Sequence, residues 1–237
     1  MGYPVKVQVL LRAFITKKIM KKLLLALIIA AAPVAAAPSQ GYFTMDAMGC
    51  MLLRECTEDV KQIRSIQDLK NTYPNSNYDT VSNEFNDIIK SFDRIGVGVF
   101  LANEKYFPVG HRGVYHTVGN NFFLNSAYMH RQSTLMSVTR HEGWHAAQDC
   151  MAGTIKNSMI AIIKNEDDVP QIWQDIATKT YSDMPGAIPW EKEAFWAGKT
   201  EGMTARALDA CAAGEMWKVY PPTPLTGLWL KRNGYID

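Results

Sequence analysis

The stretch Arg140-His141-Glu142-Gly143-Trp144-His145-Ala146-Ala147-Gln148-Asp149-Cys150 contains the pattern His-Glu-x-x-His. On a helix, residues four apart lie one above the other on the same face. His141 and His145 can therefore present two imidazoles to one metal ion, and Glu142 lies beside the first of them. Two neutral imidazoles suit a zinc ion, and the adjacent carboxylate suits a general base that deprotonates a water on that ion.

The residues around this pattern predict that it lies on a helix. Apolar side chains recur at intervals of three and four, with Ser133 or Thr134 as a candidate cap and Gly153 as a stop. The alternative is an ordinary helix that carries two of the five histidines of the chain by chance. The apolar positions are Leu135, Met136, Val138, Trp144, Ala147 and Met151.

The amino terminus has the pattern of a secretory signal peptide. Met20-Lys21-Lys22 precedes a short apolar run, residues 23–32, and then small residues up to Ala37. We therefore expect residues 1–36 to be an upstream extension and signal peptide, with Met20 as a candidate start, and the mature chain to be secreted or periplasmic. The open alternative is an uncleaved segment that anchors the chain in a membrane.

Removal of this segment changes the charge of the protein. The whole chain has a formal net charge of +2, but residues 37–237 carry 19 Lys and Arg against 23 Asp and Glu, a net charge of −4. A mildly acidic mature protein argues against binding to nucleic acid. The 237 residues suffice for one sizeable core, so we expect a single domain over residues 37–237.

Four cysteines follow the predicted signal peptide, and an even number in an exported chain predicts two disulfides. Of the three possible pairings we favour Cys50–Cys56, which closes a local loop, and Cys150–Cys211, which ties the motif helix to a later helix. The competing interpretation is a cysteine-rich metal site, but no Cys-x-x-Cys spacing supports it.

The remaining patterns predict an α+β, helix-rich fold. Apolar spacing predicts helices within residues 41–72 and 81–92, from 155 to 163, after Pro170, and from Trp190 toward Ala213. Residues 95–101 alternate as a strand, and residues 114–118 and 122–124 flank Gly119-Asn120-Asn121 as a hairpin. We therefore expect a small antiparallel sheet before the motif helix. Its exposed edge could pair with an extended peptide, or the strands could serve the core alone.

Two histidines leave a zinc ion short of ligands, because a catalytic zinc usually takes three protein side chains and a water. The variant His-Glu-x-x-His-x-x-Gly-x-x-His is excluded, since Gln148 and Met151 stand where it needs Gly and His. No histidine follows His145. The third ligand must be a carboxylate or come from upstream.

At this point the chain resembles the glutamate zincins, metallopeptidases with His-Glu-x-x-His and a third ligand, a Glu, on a later helix. Their later motif often reads Glu-x-Glu-Ala or Glu-x-x-Ala-Asp, and Glu191-Lys192-Glu193-Ala194 matches it. The resemblance implies a zincin-like metallopeptidase domain with zinc on His141, His145 and Glu191. Glu193 is the alternative ligand, although positions i and i+2 lie on different sides of a helix. The following Asp of the family, which often orients a ligand histidine, is replaced in this chain by Phe195.

The resemblance and the motif together predict a zinc-dependent peptidase acting on peptide or protein substrates. Glu142 would take a proton from a zinc-activated water and pass it to the leaving amine. Gln148 and Asp149 are candidates to support the ligands from behind, or are plain polar surface. The candidates to stabilise the oxyanion are Tyr115, His116, His130 and Tyr181. The alternative function is a non-enzymatic secreted binding protein on a degenerate zincin fold.

Overall fold

The computed structural model describes residues 45–237. The predicted signal peptide, residues 1–36, and its cleavage site lie outside the described residues. The described chain is helix-rich and α+β, as predicted, with one four-stranded sheet. Its helices are α1 (Met45–Leu52), α2 (Ile66–Thr72), α3 (Ser82–Ile95), α4 (Gln132–Met151), α5 (Gln171–Thr180), α6 (Ile188–Lys199), α7 (Met203–Ala212), α8 (Met216–Val219) and α9 (Pro224–Arg232), and its strands are β1 (Val60–Gln62), β2 (Gly98–Ala102), β3 (Gly113–His116) and β4 (Asn121–Asn125).

The sheet is mixed, so the prediction of an antiparallel sheet was wrong. The strand order is β1-β2-β4-β3, and β2 pairs with β4 in parallel, whereas the other two pairs are antiparallel. The predicted β3–β4 hairpin is present, with Asn120 at the positive φ that its turn needs. Local turn signals indicate which strands form a hairpin, but which hairpin strand pairs with β2 is decided by packing. Both hairpin strands are buried over their whole length, and β4 takes the interior position between β2 and β3.

The two faces of the sheet belong to different clusters of apolar side chains. One face packs into the main core, together with apolar side chains of α3, α4 and α7. The strand residues on that face are Val99, Leu101, Tyr115, Phe122 and Leu124. The opposite face packs against α1 and the chain after β2. That second cluster contains Phe100, Val114, Phe123, Met48, Met51, Leu52, Tyr106 and Phe107. The alternation of buried side chains along each strand thus assigns every strand residue to one side.

Helix α4 is the centre of the fold. Every residue from His141 to Met151 is buried, because α6, α7 and β3 pack around it. Gly143 permits the contact with α7, since a Cβ there would lie 2.7 Å from a methyl carbon of Thr204. Both predicted disulfides are present, and Cys150–Cys211 joins α4 to α7 with a Cα–Cα distance of 5.9 Å.

Four predictions of helices need correction. Residues 60–62 form β1 rather than a helical turn, and α2 begins only after Ser65, which makes a capping box with Asp68. The single helix expected from Trp190 to Ala213 is two helices, α6 and α7, separated at Gly202 with φ +71°. Neither expected cap of α4 is used, since α4 begins at Gln132 without a side-chain cap.

The helix expected over residues 155–163 is absent, and this segment forms turns and extended chain. Several of its polar groups bond to partners outside the segment rather than along a helix. The side chain of Asn157 donates to Ala152 O and to Tyr235 Oη, and the backbone N–H of Ile163 donates to the carboxylate of Glu193. Side-chain partners of this kind compete with helical hydrogen bonds, so apolar spacing alone misleads here. Among residues 45–237, no helix has the length and apolarity required to cross a membrane.

Candidate metal centre

Helix α4 presents His141 and His145 on the face that meets α6. The two imidazole rings lie 5.0 Å apart between centroids and are nearly perpendicular. Helix α6 approaches closely at Gly198, where a Cβ would lie 3.1 Å from Ser137 O and 3.3 Å from the Cβ of His141. The absence of a side chain at this position therefore allows α6 to place its own residues beside both histidines.

Glu191, in the first turn of α6, points its carboxylate between the two imidazoles. Glu191 Oε2 lies 3.2 Å from His141 Nε2, and Glu191 Oε1 lies 3.5 Å from His145 Nε2. One ligand atom from each of the three residues lies within 4.8 Å of the other two, and all three residues are buried. Two ligands at about 2.1 Å from a tetrahedral zinc lie about 3.4 Å apart, so two of these three spacings suit such an ion. The group of His141, His145 and Glu191 could hold a metal ion.

The facing atoms of these residues have no hydrogen-bond partner. His141 Nε2, His145 Nε2 and both carboxylate oxygens of Glu191 are buried without one, since the short contacts among them lack hydrogen-bond geometry. Buried polar atoms are normally hydrogen-bonded, and leaving them unpaired costs free energy. A convergent set of two imidazole nitrogens and a carboxylate is what a zinc ion takes as ligands. The residues present therefore fit such an ion.

The electrostatics of the group favour a positive charge at its centre. Burial opposes ionisation of Glu191, but His145 and then His141 overcome it and lower the pKa of Glu191 to about 2. Burial would also lower the pKa of His145, but the carboxylates of Glu191 and Glu142 raise it to about 9. Burial lowers the pKa of His141. The buried carboxylates thus stabilise a cation beside them, whether a proton on His145 or a metal ion.

His145 is held from behind by Gln148, one of the two predicted supporting residues. His145 Nδ1 lies 2.8 Å from Gln148 Oε1. Gln148 Nε2 in turn donates to Glu193 Oε2 at 2.8 Å and to Trp190 O at 3.1 Å. The Nδ1 atom of His145 is therefore hydrogen-bonded within the protein, and its Nε2 atom faces Glu191.

Glu193 does not join the metal-binding group. Its buried carboxylate accepts hydrogen bonds from Trp144 Nε1, Gln148 Nε2 and the backbone N–H groups of Ile163 and Lys164, at 2.6–3.2 Å. Burial raises the pKa of Glu193, and these N–H donors oppose that rise. Of the two glutamates that the sequence left open, the structure places Glu191 beside the imidazoles and Glu193 against α4 and residues 163–164.

Glu142 lies on the same turn as His141 and is completely buried. Its Oε2 atom accepts the backbone N–H of Tyr115 at 2.9 Å, and its Oε1 atom has no hydrogen-bond partner. Burial raises the pKa of Glu142 to about 8, against the opposing effect of His145. Strand β3 thus anchors one oxygen of Glu142 and leaves the other able to accept a proton. Gly113 makes this approach possible, since a Cβ there would lie 2.5 Å from Val138 Cγ1.

Phe195 occupies the place of the acidic residue that the resemblance would supply. It lies four residues after Glu191 on α6, and its ring packs edge-on against His141 with centroids 5.1 Å apart. Tyr181 packs against the other side of Phe195, at 6.3 Å between ring centroids. His141 is thus held by an aromatic contact at the position where the family uses a carboxylate. An aromatic at this position gives no sequence signal of such a role, because apolar residues on helices are most often core.

The four candidates to stabilise an oxyanion are not brought together. The hydroxyl group of Tyr115 donates to Asp149 Oδ2 at 2.9 Å, which places Asp149, the other predicted supporting residue, beside Tyr115 rather than beside a histidine. His116 is next to Tyr115 on β3, so its side chain lies on the opposite face of the sheet. His130 is exposed and precedes α4, about 14 Å of helix before His141. Tyr181 packs against Phe195, which in turn packs against His141.

Comparison of the chain with models of known protein families, with curated proteins and with solved structures finds no match. The case for a metal centre therefore depends on the convergence of His141, His145 and Glu191 and on their unpaired atoms.

Proposed function

We propose that this protein is a zinc-dependent metallopeptidase that is secreted or periplasmic. The observation that carries the proposal is the convergence of His141, His145 and Glu191, with Glu142 beside the first histidine and one of its oxygens unpaired. Two imidazoles and one carboxylate are a ligand set of catalytic zinc sites, which keep a further position for water or substrate. When bound, zinc supplies a Lewis acid that polarises a carbonyl and makes water more acidic.

Glu142 is the residue that moves the proton. Its Oε1 atom accepts a proton from water and returns it to the leaving amine, while the N–H of Tyr115 holds Oε2 in place. A base must be ionised, and burial works against this by raising the pKa of Glu142 to about 8. A divalent cation on the neighbouring histidines adds positive charge and so lowers that pKa toward neutrality.

A second candidate function is a secreted binding protein that keeps a metal without catalysis. Two observations favour it. Glu142, His145 and Glu191 are fully buried and His141 is only 4% exposed, so a substrate reaches the site only if the surrounding chain opens. Phe195 also replaces the acidic residue of the family pattern. Metal analysis does not separate the two functions, because both retain zinc, but hydrolysis does.

Glu142→Gln separates the two functions. We expect the zinc-loaded chain to cleave an unfolded protein such as reduced casein, chelator to abolish cleavage, and added zinc to restore it. Glu142→Gln should keep zinc and reduce cleavage about 100- to 10,000-fold, since that is the usual contribution of a general base. Glu215→Gln, which changes an exposed glutamate paired with Lys218, is the matched control and should cleave normally.

Normal cleavage by Glu142→Gln would exclude the proposed mechanism. If the zinc-loaded wild-type chain cleaves none of several unfolded proteins, the result would favour the binding protein.

The two disulfides fit an oxidising compartment, where such bonds persist. Amino-terminal sequencing of the mature protein tests export, and we expect it to begin at Ala37.

A further inference from the structure

The carboxylate of Glu193 lies one hydrogen bond behind the support of His145. Its Oε1 atom accepts the backbone N–H groups of Ile163 and Lys164, at 2.9 and 2.6 Å. Its Oε2 atom accepts Trp144 Nε1 at 3.0 Å and Gln148 Nε2 at 2.8 Å. Glu193 therefore joins α4 and α6 to the irregular segment at residues 163–164, without touching a histidine of the metal-binding group.

These contacts determine which way the amide of Gln148 points. The groups on one side of the amide are Glu193 Oε2 and Trp190 O, and both are acceptors. Only the NH2 group of Gln148 can satisfy two acceptors, so its oxygen must face the other way, toward His145. Flipping the amide would place its oxygen against a carboxylate and a carbonyl oxygen, and would remove the donor that Gln148 gives to each of them.

The orientation of Gln148 determines the tautomer of His145. Because the amide oxygen can only accept, Nδ1 of His145 must carry a hydrogen and donate it. In the neutral ring, the form that binds a metal, the lone pair then lies on Nε2, the atom that faces Glu191 and has no hydrogen-bond partner. A histidine with the opposite tautomer would carry a hydrogen on Nε2 and could not bind a metal there.

We propose that Glu193 is a positioning residue of the metal centre, which acts through Gln148 to keep the Nε2 lone pair of His145 available to a metal. The proposal rests on the metal-binding part of the proposed function and is independent of hydrolysis. It also assigns a role to residues 163–164, whose N–H groups hold Glu193 Oε1 and so keep Oε2 facing Gln148. A carboxylate that supports a ligand histidine through an amide takes the place of a direct carboxylate–histidine contact.

Replacement of Glu193 by Gln should reverse the chain of hydrogen bonds. The oxygen of the new amide should face the two backbone N–H groups of Ile163 and Lys164, so its NH2 group faces Gln148 and the indole N–H of Trp144 loses its acceptor. Gln148 then turns its own oxygen toward residue 193 and its NH2 group toward His145, and Trp190 O loses its donor. Nδ1 of His145 must now accept, which moves the ring hydrogen to Nε2. We expect Glu193→Gln to lower zinc affinity about 10- to 100-fold, the usual effect of losing support behind a ligand.

The double variant Gln148→Glu with Glu193→Gln should restore the original direction. The carboxylate at 148 accepts from the amide at 193 with one oxygen and from His145 Nδ1 with the other. We expect its zinc affinity to rise above that of Glu193→Gln, because His145 Nδ1 regains an acceptor, and to stay below wild type, because Trp190 O lacks a donor and Trp144 Nε1 lacks an acceptor. Gln148→Met removes the acceptor of His145 while keeping the length of the side chain, and should weaken zinc about as much as Glu193→Gln does.

The control is Glu84→Gln, because Glu84 is also a largely buried carboxylate with several N–H donors. It accepts from the guanidinium group of Arg140 and from the backbone N–H of Gly202, and so joins α3, α4 and the α6–α7 turn. It contacts no histidine of the metal-binding group. Glu84→Gln should lower stability without changing zinc affinity, which separates loss of packing from loss of positioning.

Zinc affinity is measured for the full chain by competition with a chromophoric chelator, with circular dichroism to verify folding. If wild type binds no zinc, the proposed function fails, and the role of Glu193 in a metal centre fails with it. If wild type binds zinc but Glu193→Gln binds equally well, or the double variant binds no better than Glu193→Gln, the role of Glu193 is overturned.

A measurement on the wild-type chain covers the case in which a variant does not fold. In the zinc-loaded wild type, ¹⁵N NMR of the imidazole of His145 should show a hydrogen on Nδ1 that is protected from exchange with water by its hydrogen bond. The same spectra should show a metal on Nε2. A metal on Nδ1, or a Nδ1 hydrogen that exchanges freely with water, would overturn the proposal.

Discussion

Glu191 and Glu193 lie two residues apart on one helix, both fully buried, and their surroundings are opposite. Both oxygens of Glu193 accept N–H donors, from two side chains and two backbone groups. Neither oxygen of Glu191 has a hydrogen-bond partner, although two imidazole nitrogens lie within 3.5 Å. Because α6 turns by about 100° per residue, the two carboxylates face different sides.

The difference separates a carboxylate whose partners are all within the protein from one that could bind a metal ion. A buried acceptor with a full set of donors is satisfied within the protein, whereas a buried acceptor with none indicates a missing partner. The two histidines facing Glu191 share this property at Nε2, which is why the missing partner is best understood as a cation. Burial alone would not have distinguished the two glutamates.

We expect the largest effect on metal binding from neutralising Glu191. We expect Glu191→Gln to lower zinc affinity by more than about a hundredfold, beyond the effect of changes behind a ligand. Zinc stabilises only a protein that binds it in the folded state, so zinc should raise the melting temperature of wild type and not of this variant. Differential scanning calorimetry with and without zinc measures the melting temperatures of the two proteins. An equal rise in the two proteins would show that zinc binds elsewhere.

Truncation of Glu193 tests the other half of the comparison. Glu193→Ala leaves the indole N–H of Trp144, the amide of Gln148 and two backbone N–H groups buried without an acceptor. We expect a loss of about 3–5 kcal/mol in the free energy of unfolding, since each such donor costs about 1–3 kcal/mol and some regain water. Urea unfolding in the presence of chelator isolates this effect from metal binding. A loss under about 1 kcal/mol would mean that these bonds contribute little net stability.

Asp149 is an intermediate case, with one oxygen bonded to Tyr115 Oη and the other without a hydrogen-bond partner. Burial raises its pKa from 3.8 to about 8, against the hydrogen bond from Tyr115. Between those pH values the folded chain holds a proton that the unfolded chain releases, so this carboxyl makes the protein less stable as pH rises from 4 to 8. Asp149→Asn removes this pH-dependent loss of stability and keeps an acceptor for the hydroxyl group of Tyr115.

We therefore expect Asp149→Asn to match wild type near pH 4 and to be more stable than wild type near pH 8, by about 1–3 kcal/mol. Urea unfolding at a series of pH values measures the difference. A difference that is constant across pH would show that Asp149 has an ordinary pKa in the folded protein.

The smallest expected effect comes from Gly198, whose missing side chain lets α6 bring Glu191 to the histidines. In Gly198→Ala the new Cβ would lie 3.1 Å from Ser137 O, a backbone atom that cannot move without moving α4. The better helix propensity of Ala, about 1 kcal/mol, offsets the strain, so stability should change little. Zinc affinity should fall about threefold as the carboxylate of Glu191 is displaced, an amount below the effect of losing support behind a ligand. Unchanged affinity would show that Glu191 follows the histidines without a close α4–α6 contact.

Several elements were predictable because their signals are local. The spacing of apolar residues on α4, the turn residues of the β3–β4 hairpin and the four cysteines each led to a feature that the structure contains. The errors occur where distant groups decide the local structure. Residues 155–163 have helical spacing, but their backbone and side chains bond to Gln148, Tyr235 and Glu193, so no helix forms.

The metal-binding group shows the same division. His141 and His145 are four residues apart, so helix geometry alone puts them on one face. Glu191 and Glu193 both suited the motif, and their spacing could not say which of the two meets the imidazoles. Phe195 and the backbone donors of Ile163 and Lys164 gave no signal, because neither an apolar residue nor a backbone N–H is distinctive in a sequence.

The spacing of His141, Glu142 and His145 is enough to place two imidazoles and a carboxylate on one helical turn, since the period of a helix is a property of the backbone and needs no other part of the chain. Which later glutamate faces them, and which supports Gln148, follows only from the folded chain. That choice depends on how α6 is rotated against α4, and the rotation is set by contacts such as Gly198 against His141, between residues 57 positions apart. Packing, and not spacing, therefore distinguishes the two glutamates.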